Sequence, residues 1–221
     1  MILEICANSY KSAINAQRAG AHRIELCEDL SVGGVTPNEQ TLAKVLEELS
    51  IPVFVLVRPR SGDFNYSDEE FHMMLQTIDV CKAKGCAGIV AGVLNTDRTI
   101  DEQRTNTLIE HARPLAFTFH RAFDEVIDPK TSLEILIRLG VDRILTSGQE
   151  AKAIEGLPML KALNQLANEK LIIMPGSGIN PNNALNFKKA GFIEIHGSAS
   201  KLVNGEKVSD IDTIKAILHA I

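Results

Sequence analysis

Two short segments near the start of the chain carry the same pair of reactive side chains. Glu4 and Cys6 are two residues apart, as are Glu25 and Cys27, and each pair lies in an apolar run typical of a β-strand. Because side chains alternate across a strand, each glutamate shares a face with its cysteine. If the strands are neighbours, the equal spacing favours equal heights for the two thiols. Two thiolates suit Cu(I), which prefers sulfur ligands. The alternative is that both cysteines are small buried apolar residues.

A second group of candidates follows the third apolar run. Arg58 and Arg60 are separated by Pro59, which keeps the backbone extended, so both guanidinium groups can face the same way. Arginine binds carboxylates and phosphates through two parallel hydrogen bonds. The pattern therefore predicts an anion site, against the alternative of two solvated arginines.

His120 is the candidate for proton transfer. It ends a further apolar run, and an imidazole at that place acts as a general acid or base if a carboxylate orients it. Glu4, Glu25 and Asp124 are the carboxylates considered for that role. The alternative is a core histidine whose hydrogen bonds are purely structural.

Glycine-rich turns in the last third of the chain predict a second anion site. Gly176 and Gly178 allow the backbone N–H groups to approach an anion closely. In many α/β barrels the loops after the seventh and eighth strands bind phosphate. The anion-binding residues predicted in these turns are Ser147, Gly148, Gly176, Ser177, Gly178, Gly197 and Ser198. The same glycines are also what tight turns alone would require.

Regular alternation of apolar runs with helical segments determines where these residues lie. The apolar runs cover residues 2–6, 23–27, 53–57, 88–92, 116–120, 143–147, 171–174 and 193–196. The segments between them contain helix-start signals: Ser67 with Glu70 reads as a capping box, and Thr36-Pro37, Asp128-Pro129 and Asn180-Pro181 read as an N-cap followed by proline. This alternation predicts an α/β fold, a single (β/α)₈ TIM-type barrel domain over residues 1–221.

An internal repeat supports a closed barrel. On the even-numbered strands a helix-ending glycine is followed four residues later by an isoleucine; the pairs are Gly20/Ile24, Gly85/Ile89, Gly140/Ile144 and Gly191/Ile195. We expect the isoleucines to face the helices and their neighbours to face the lumen. The lowest lumen layer then holds Arg23, Arg143 and Glu194, which must pair with each other because unpaired buried charge is costly. Glu25 and His196 fall in the next layer, nearer the C-terminal end, where such barrels carry their functional sites.

Composition and charge exclude several classes of partner. The net charge is −5 and no run of five basic residues occurs, so a phosphate-driven nucleic-acid site is not expected. The apolar runs are too short to span a membrane, and no secretory signal is apparent. None of the four cysteines forms a Cys-x-x-Cys pair, which excludes a zinc ribbon. We expect reduced thiols, a cytoplasmic location, and a small molecule or metal ion as partner.

Taken together, these motifs resemble the CutC family of copper-homeostasis proteins. The segments that carry the resemblance are Glu4–Cys6, Gly20–Cys27, Gly33–Pro37, Arg58–Arg60, Phe119–Asp124, Leu145–Gly148, Pro175–Gly178 and His196–Ser198. The resemblance implies a cytoplasmic (β/α)₈ barrel linked to copper tolerance and copper binding. Copper ligands in this family are sought among cysteines, and the cysteines within these motifs are Cys6 and Cys27. The resemblance does not imply any particular enzymatic reaction.

Two functions are therefore open from the sequence. The first is copper homeostasis with Cu(I) bound by Cys6 and Cys27. The second is a barrel enzyme that acts on a small anionic or phosphorylated metabolite, with Glu4, Glu25, Arg58 and His120 as the catalytic candidates. The sequence does not decide whether the chain is an enzyme, and a homo-oligomer is compatible with it.

Overall fold

Each predicted apolar run forms a strand in the computed structural model, which describes all residues from 1 to 221. The barrel strands are β1 (Ile2–Ala7), β2 (Arg23–Leu26), β3 (Val53–Leu56), β4 (Gly88–Ala91), β5 (Ala116–Phe119), β6 (Arg143–Thr146), β7 (Ile172–Pro175) and β8 (Glu194–Gly197). The helices are α1 (Tyr10–Ala19), α2 (Glu39–Glu48), α3 (Asp68–Ala83), α4 (Glu102–Ala112), α5 (Pro129–Leu139), α6 (Leu157–Ala167), α7 (Ala184–Lys189) and α8 (Ile211–Ala220).

All eight strands pair in parallel, in the order β7-β6-β5-β4-β3-β2-β1-β8. β7 and β8 lie side by side without a shared hydrogen-bonded ladder, so the barrel is nearly closed. The predicted (β/α)₈ barrel is confirmed. Most strands end one residue earlier than the apolar runs suggested, so that Cys27, His120 and Ser147 begin the loops at the barrel mouth instead of ending strands.

The side-chain directions predicted from the glycine–isoleucine repeat are also confirmed. All four glycines have a positive φ, between 77° and 92°, and end the preceding helical segment. The four isoleucines are fully buried in the apolar cluster that contains the inner faces of the helices. A separate, smaller apolar cluster lies in the lumen and consists of Cys6, Cys27, Phe54, Leu56 and Val90.

Helix starts follow the predicted capping signals in two places and depart from them in two. Asp128 caps α5 with Pro129 in its first turn, and Ser67 and Glu70 form the capping box of α3. Before α2 the cap is Asn38, not Thr36, because the Asn38 side chain accepts a hydrogen bond from the Thr41 N–H. The segment from residue 180 to 183 forms a turn, and α7 begins only at Ala184.

A β-hairpin before the last helix was not predicted. After β8 the chain forms an antiparallel hairpin of β9 (Ser200–Val203) and β10 (Glu206–Ser209) before α8. Hydrogen bonds from Asn15 to the Ser209 carbonyl and from the Ser209 N–H to Ser12 attach this hairpin to α1. None of the helices is both long enough and apolar enough to cross a membrane.

Candidate functional site at the barrel mouth

The bottom of the lumen contains a chain of buried ion pairs. Arg23 donates from Nε to Glu4 and from Nη2 to Glu194. Arg143 Nε lies 3.3 Å from Glu194, so one carboxylate serves both arginines. Both guanidinium groups also stack on the Phe54 ring, at 5.0 and 5.1 Å. The predicted structural pairing of this layer is confirmed.

A glycine on β4 makes room for the ring at the centre of this layer. A Cβ at Gly88 would lie 2.5 Å from the Phe54 ring, which is closer than side chains approach each other. Phe54 can therefore lie across the lumen, under both guanidinium groups, only because β4 presents no side chain there.

His196 occupies the layer above, between two carboxylates. Its Nδ1 lies 2.7 Å from Glu4, and its Nε2 lies 3.6 Å from Glu25. Burial acts to lower the pKa of His196, but the hydrogen bond with Glu4 and the charges of both carboxylates raise it above its ordinary value. Burial acts to raise the pKa of Glu4, but Arg23 and His196 together lower it to about 2. The pKa of Glu25 is raised, chiefly by burial.

The two predicted thiols meet beside this histidine. Cys6 Sγ lies 3.5 Å from Cys27 Sγ, and both side chains are buried. Contact with Cys27, burial and the nearby Glu25 carboxylate raise the pKa of Cys6 well above its ordinary value. The expectation of equal height was wrong: the barrel stagger places Cys6 opposite Glu25 in the β1–β2 ladder. The sulfurs still meet: Cys27 follows β2 directly, and its N–H donates to the Ala7 carbonyl at the end of β1 at 3.0 Å.

Arg58 is a buried cation without a carboxylate partner. Its side chain donates to the carbonyls of Val32, Gly34 and Gly62 at 2.8–3.0 Å, and its Nε is buried with no hydrogen-bond partner. The guanidinium group lies 4.8 Å from the centre of the Phe64 ring. Arg58 therefore holds the loop after β2 in place and leaves its positive charge uncompensated.

His120 is buried beside Arg58 and carries an unpaired ring nitrogen. Its Nδ1 accepts the Ala122 N–H at 3.2 Å, which assigns the proton of the neutral ring to Nε2. That Nε2 has no partner. Burial, followed by the charge of Arg58, lowers the pKa of His120 to about 3. His120 is thus a neutral hydrogen-bond donor over most of the pH range.

The carboxylates considered for His120 serve other partners. Glu4 contacts His196 instead, and Glu25 also lies beside that ring. Asp124 accepts hydrogen bonds from the Ser147 N–H and from Arg121. The predicted orientation of His120 by a carboxylate was therefore wrong. The histidine that carboxylates do orient is His196, which the sequence placed beside Glu25 but did not single out for chemistry.

A cavity of about 300 Å³ opens at the mouth of the barrel above these groups. It brings together eight of the residues predicted for the site: Cys6, Glu25, Arg58, His120, Ser177, Gly178, Gly197 and Ser198. His196, Phe64 and Arg121 line it as well, without having been predicted. A cavity of this size accommodates a small metabolite.

The remaining predicted residues do not line the cavity. Arg60 pairs with Glu70 at 2.6 Å and with Asp63 at 2.9 Å on the outer side of its loop, so the two arginines do not act as one clamp. Glu4 and Cys27 are buried beneath the cavity floor, behind His196 and Cys6.

The turns after β6 and β7 also contribute less than predicted. The Ser147 N–H donates to Asp124 and the Gly148 N–H donates to Thr146, so neither is free for an anion. Gly176 packs against Leu145 and His196. Ser177 uses its hydroxyl to bind the Ala151 carbonyl, and its φ of 81° is in the left-handed region that non-glycine residues rarely adopt.

Comparison with known proteins agrees with this fold and with the family resemblance of the sequence. The model of the CutC family matches residues 1–201. The chain belongs to the CutC family. It is 46% identical over 199 residues to the human copper homeostasis protein cutC homolog, covering 90% of this chain and 73% of the human protein. It is 48% identical over 197 residues to the family protein CutC of Pasteurella multocida, covering 89% of this chain and 81% of that protein.

A solved structure of a family member has the same fold. The CutC protein of Streptococcus agalactiae, described there as a candidate copper homeostasis protein, is 32% identical to this chain and superposes with a TM-score of 0.85. The match covers 90% of this chain and 98% of the streptococcal chain.

The buried neutral state of His120 predicts a pH dependence of stability. The pKa of His120 is about 3 in the folded chain and about 6.5 in the unfolded chain. Between these two pH values the unfolded chain binds a proton at His120 and the folded chain does not. The free energy of unfolding should therefore fall as the pH drops from 6.5 towards 3. In His120→Gln the decline between pH 7 and pH 5, measured by urea unfolding, should be smaller by roughly 1–2 kcal/mol.

The matched control is His219→Gln, on the exposed side of α8, which should decline as the wild type does. An unchanged decline in His120→Gln would show that this ring is protonated normally in the folded protein.

Proposed function

We propose that this CutC family protein binds Cu(I) between Cys6 and Cys27. The observation that carries the proposal is the 3.5 Å separation of their sulfurs. Two thiolates that share one ion need their sulfurs roughly 4 Å apart or a little more, since each metal–sulfur bond is about 2.2–2.3 Å long. Side-chain movements of less than about 1 Å would reach that spacing, which is within ordinary rotamer adjustment.

The surroundings of the pair fit a soft monovalent ion. Phe54, Leu56 and Val90 enclose the sulfurs in the lumen, and apolar walls exclude competing water. Cys6 lines the cavity while Cys27 lies behind it, so an ion would enter from the mouth. Loading must displace thiol protons, which predicts that affinity rises with pH. We place this function in the cytoplasm, where thiols stay reduced, and the four free cysteines support that proposal.

Replacement of both thiols provides the direct test of copper binding. Cys6→Ser with Cys27→Ser should weaken Cu(I) binding by at least about 100-fold, because hydroxyl oxygen is a poor ligand for this soft ion. Competition between the protein and a coloured Cu(I) chelator under anaerobic conditions measures the affinity. Circular dichroism checks that the barrel is folded.

The chain offers its own control for this experiment. Cys81 and Cys86 form another buried free pair, outside the lumen. Replacing both by serine should leave tight Cu(I) binding intact. Wild-type affinity in the Cys6/Cys27 double variant would show that the lumen thiols are packing residues.

A second candidate function is binding and conversion of a small anion in the cavity. The observation that favours it is the charge of Arg58, which is buried and has no carboxylate partner. Buried charges in proteins are normally paired, so a cation at a cavity wall favours an anionic ligand there. His120 lines the same cavity with a free Nε2–H, which can donate to an oxygen of that ligand.

The groups at the cavity floor suit proton transfer to or from such a ligand. Glu25 is a carboxylate with a raised pKa, and His196 is an imidazole whose proton is stabilised by two carboxylates. Two titratable groups whose environments differ are the usual arrangement for general acid–base chemistry. In this candidate function Arg58 and His120 bind the anion, and Glu25 and His196 exchange protons with it.

Arg58 and Arg60 form a matched pair for testing the anion site. Arg58→Met should weaken the binding of inorganic phosphate or a small dicarboxylate by about 10-fold or more, since a buried charge-assisted hydrogen bond contributes roughly 1.5–3 kcal/mol. Arg60→Met removes an equal charge two residues away, outside the cavity, and should change binding less than 2-fold. Isothermal titration calorimetry measures both. Equal binding by wild type and Arg58→Met would refute the anion site.

A further inference from the structure

Three side chains of different chemistry converge at the cavity floor. Cys6 Sγ, a carboxylate oxygen of Glu25 and His196 Nε2 all lie within 4.8 Å of one another, and all three side chains are buried. In the β1–β2 ladder Cys6 lies opposite Glu25, and in the β1–β8 ladder Glu4 lies opposite His196. The barrel register itself therefore brings the three donors together from three neighbouring strands.

The spacing of these donors is close to that of ligands around one tetrahedral ion. Metal–ligand bonds of about 2.0–2.3 Å place neighbouring ligand atoms roughly 3.3–3.8 Å apart. His196 Nε2 and Glu25 Oε2 are already 3.6 Å apart. The widest pair needs an adjustment of about 1 Å, which side-chain rotation supplies.

The histidine is held as metal-binding histidines are. A ring nitrogen that binds a metal almost always belongs to a histidine whose other nitrogen donates to a carboxylate or carbonyl. His196 Nδ1 lies 2.7 Å from Glu4, and Glu4 is in turn fixed by Arg23. This leaves Nε2 as the free nitrogen, and Nε2 is the one that faces Cys6 and Glu25.

We propose that Cys6, Glu25 and His196 form a site for a divalent cation of the zinc type. One thiolate, one carboxylate and one imidazole are the donors that zinc takes in proteins, and three protein ligands leave a fourth position open. All three residues line the cavity, so the open position faces it and is available to water or to an oxygen of a bound anion. Binding displaces one proton from the thiol and one from the imidazole, and the dipositive ion replaces both without changing the net charge of the lumen.

This site is distinct from the Cu(I) pair, although both use Cys6. The divalent site needs Glu25 and His196, whereas the Cu(I) pair needs Cys27. Either metal would exclude the other. The proposed divalent site and the proposed Cu(I) site can therefore be tested separately. Variants of Glu25 and His196 affect the first, and a variant of Cys27 affects the second.

Cobalt provides the spectroscopic test, because a Co²⁺–thiolate bond gives intense near-ultraviolet absorption. When Co²⁺ is added to reduced, metal-free wild type, this band should appear and should saturate at one equivalent. Addition of Zn²⁺ should then displace the Co²⁺ and abolish the band. Glu25→Gln and His196→Gln should each weaken Co²⁺ binding by about 10-fold or more, and Cys6→Ser should remove the band. Cys27→Ser, the matched control, should bind within about 3-fold of wild type while losing tight Cu(I) binding.

Two results would overturn the proposal. One is the absence of a thiolate-to-cobalt band from the folded wild type at one equivalent, a result that does not depend on any variant folding. The other is a loss of Co²⁺ affinity in Cys27→Ser as large as that in Cys6→Ser, which would place the cation on the thiol pair.

Discussion

The arrangement of the site depends on one buried cation, Arg23, held between Glu4 and Glu194. Removing one partner of such a pair costs about 3–5 kcal/mol, because the other charge is left buried and uncompensated. Arg23 fixes Glu4, and Glu4 binds Nδ1 of His196. The opposite ring nitrogen is then directed at Glu25 and Cys6. A contact at the bottom of the lumen thus orients the ring nitrogen that faces the cavity at its mouth.

The polar groups of the lumen change character from bottom to top. At the bottom, Arg23 and Arg143 both reach carboxylates, and the layer is electrostatically complete. At the mouth, Arg58 Nε and His120 Nε2 are buried without partners. Six buried side-chain polar atoms of the chain lack a hydrogen-bond partner, and these two are the ones that belong to cavity-lining residues. Ion pairs at the bottom of the lumen stabilise the barrel, and donors without partners lie at the C-terminal mouth. This arrangement is expected of a barrel whose functional face is the C-terminal one.

The sequence was sufficient to predict the barrel because periodicity is a local signal. Strand alternation and the glycine–isoleucine repeat fixed eight strands and the faces of Ile24 and Ile144, and the structure agrees. Contacts between side chains of neighbouring strands depend on how far one strand is shifted along the other, and no local sequence pattern indicates that shift. The stagger put Cys6 opposite Glu25 and gave His196, not His120, the carboxylates. Arg60 was assigned to the anion site on spacing alone, and its pairing with Glu70 depends on the position of α3.

Glu4 holds His196 in its orientation and charge state, and imidazole ¹⁵N resonances measured as a function of pH report on both. In metal-free wild type His196 should titrate above the ordinary histidine pKa of about 6.5, because two carboxylates stabilise its proton. Glu4→Gln removes the nearer carboxylate and should lower that pKa, while Glu28→Gln, outside the lumen, should leave it unchanged. Identical titration of His196 in wild type and Glu4→Gln would show that Glu4 does not set the charge state of this ring.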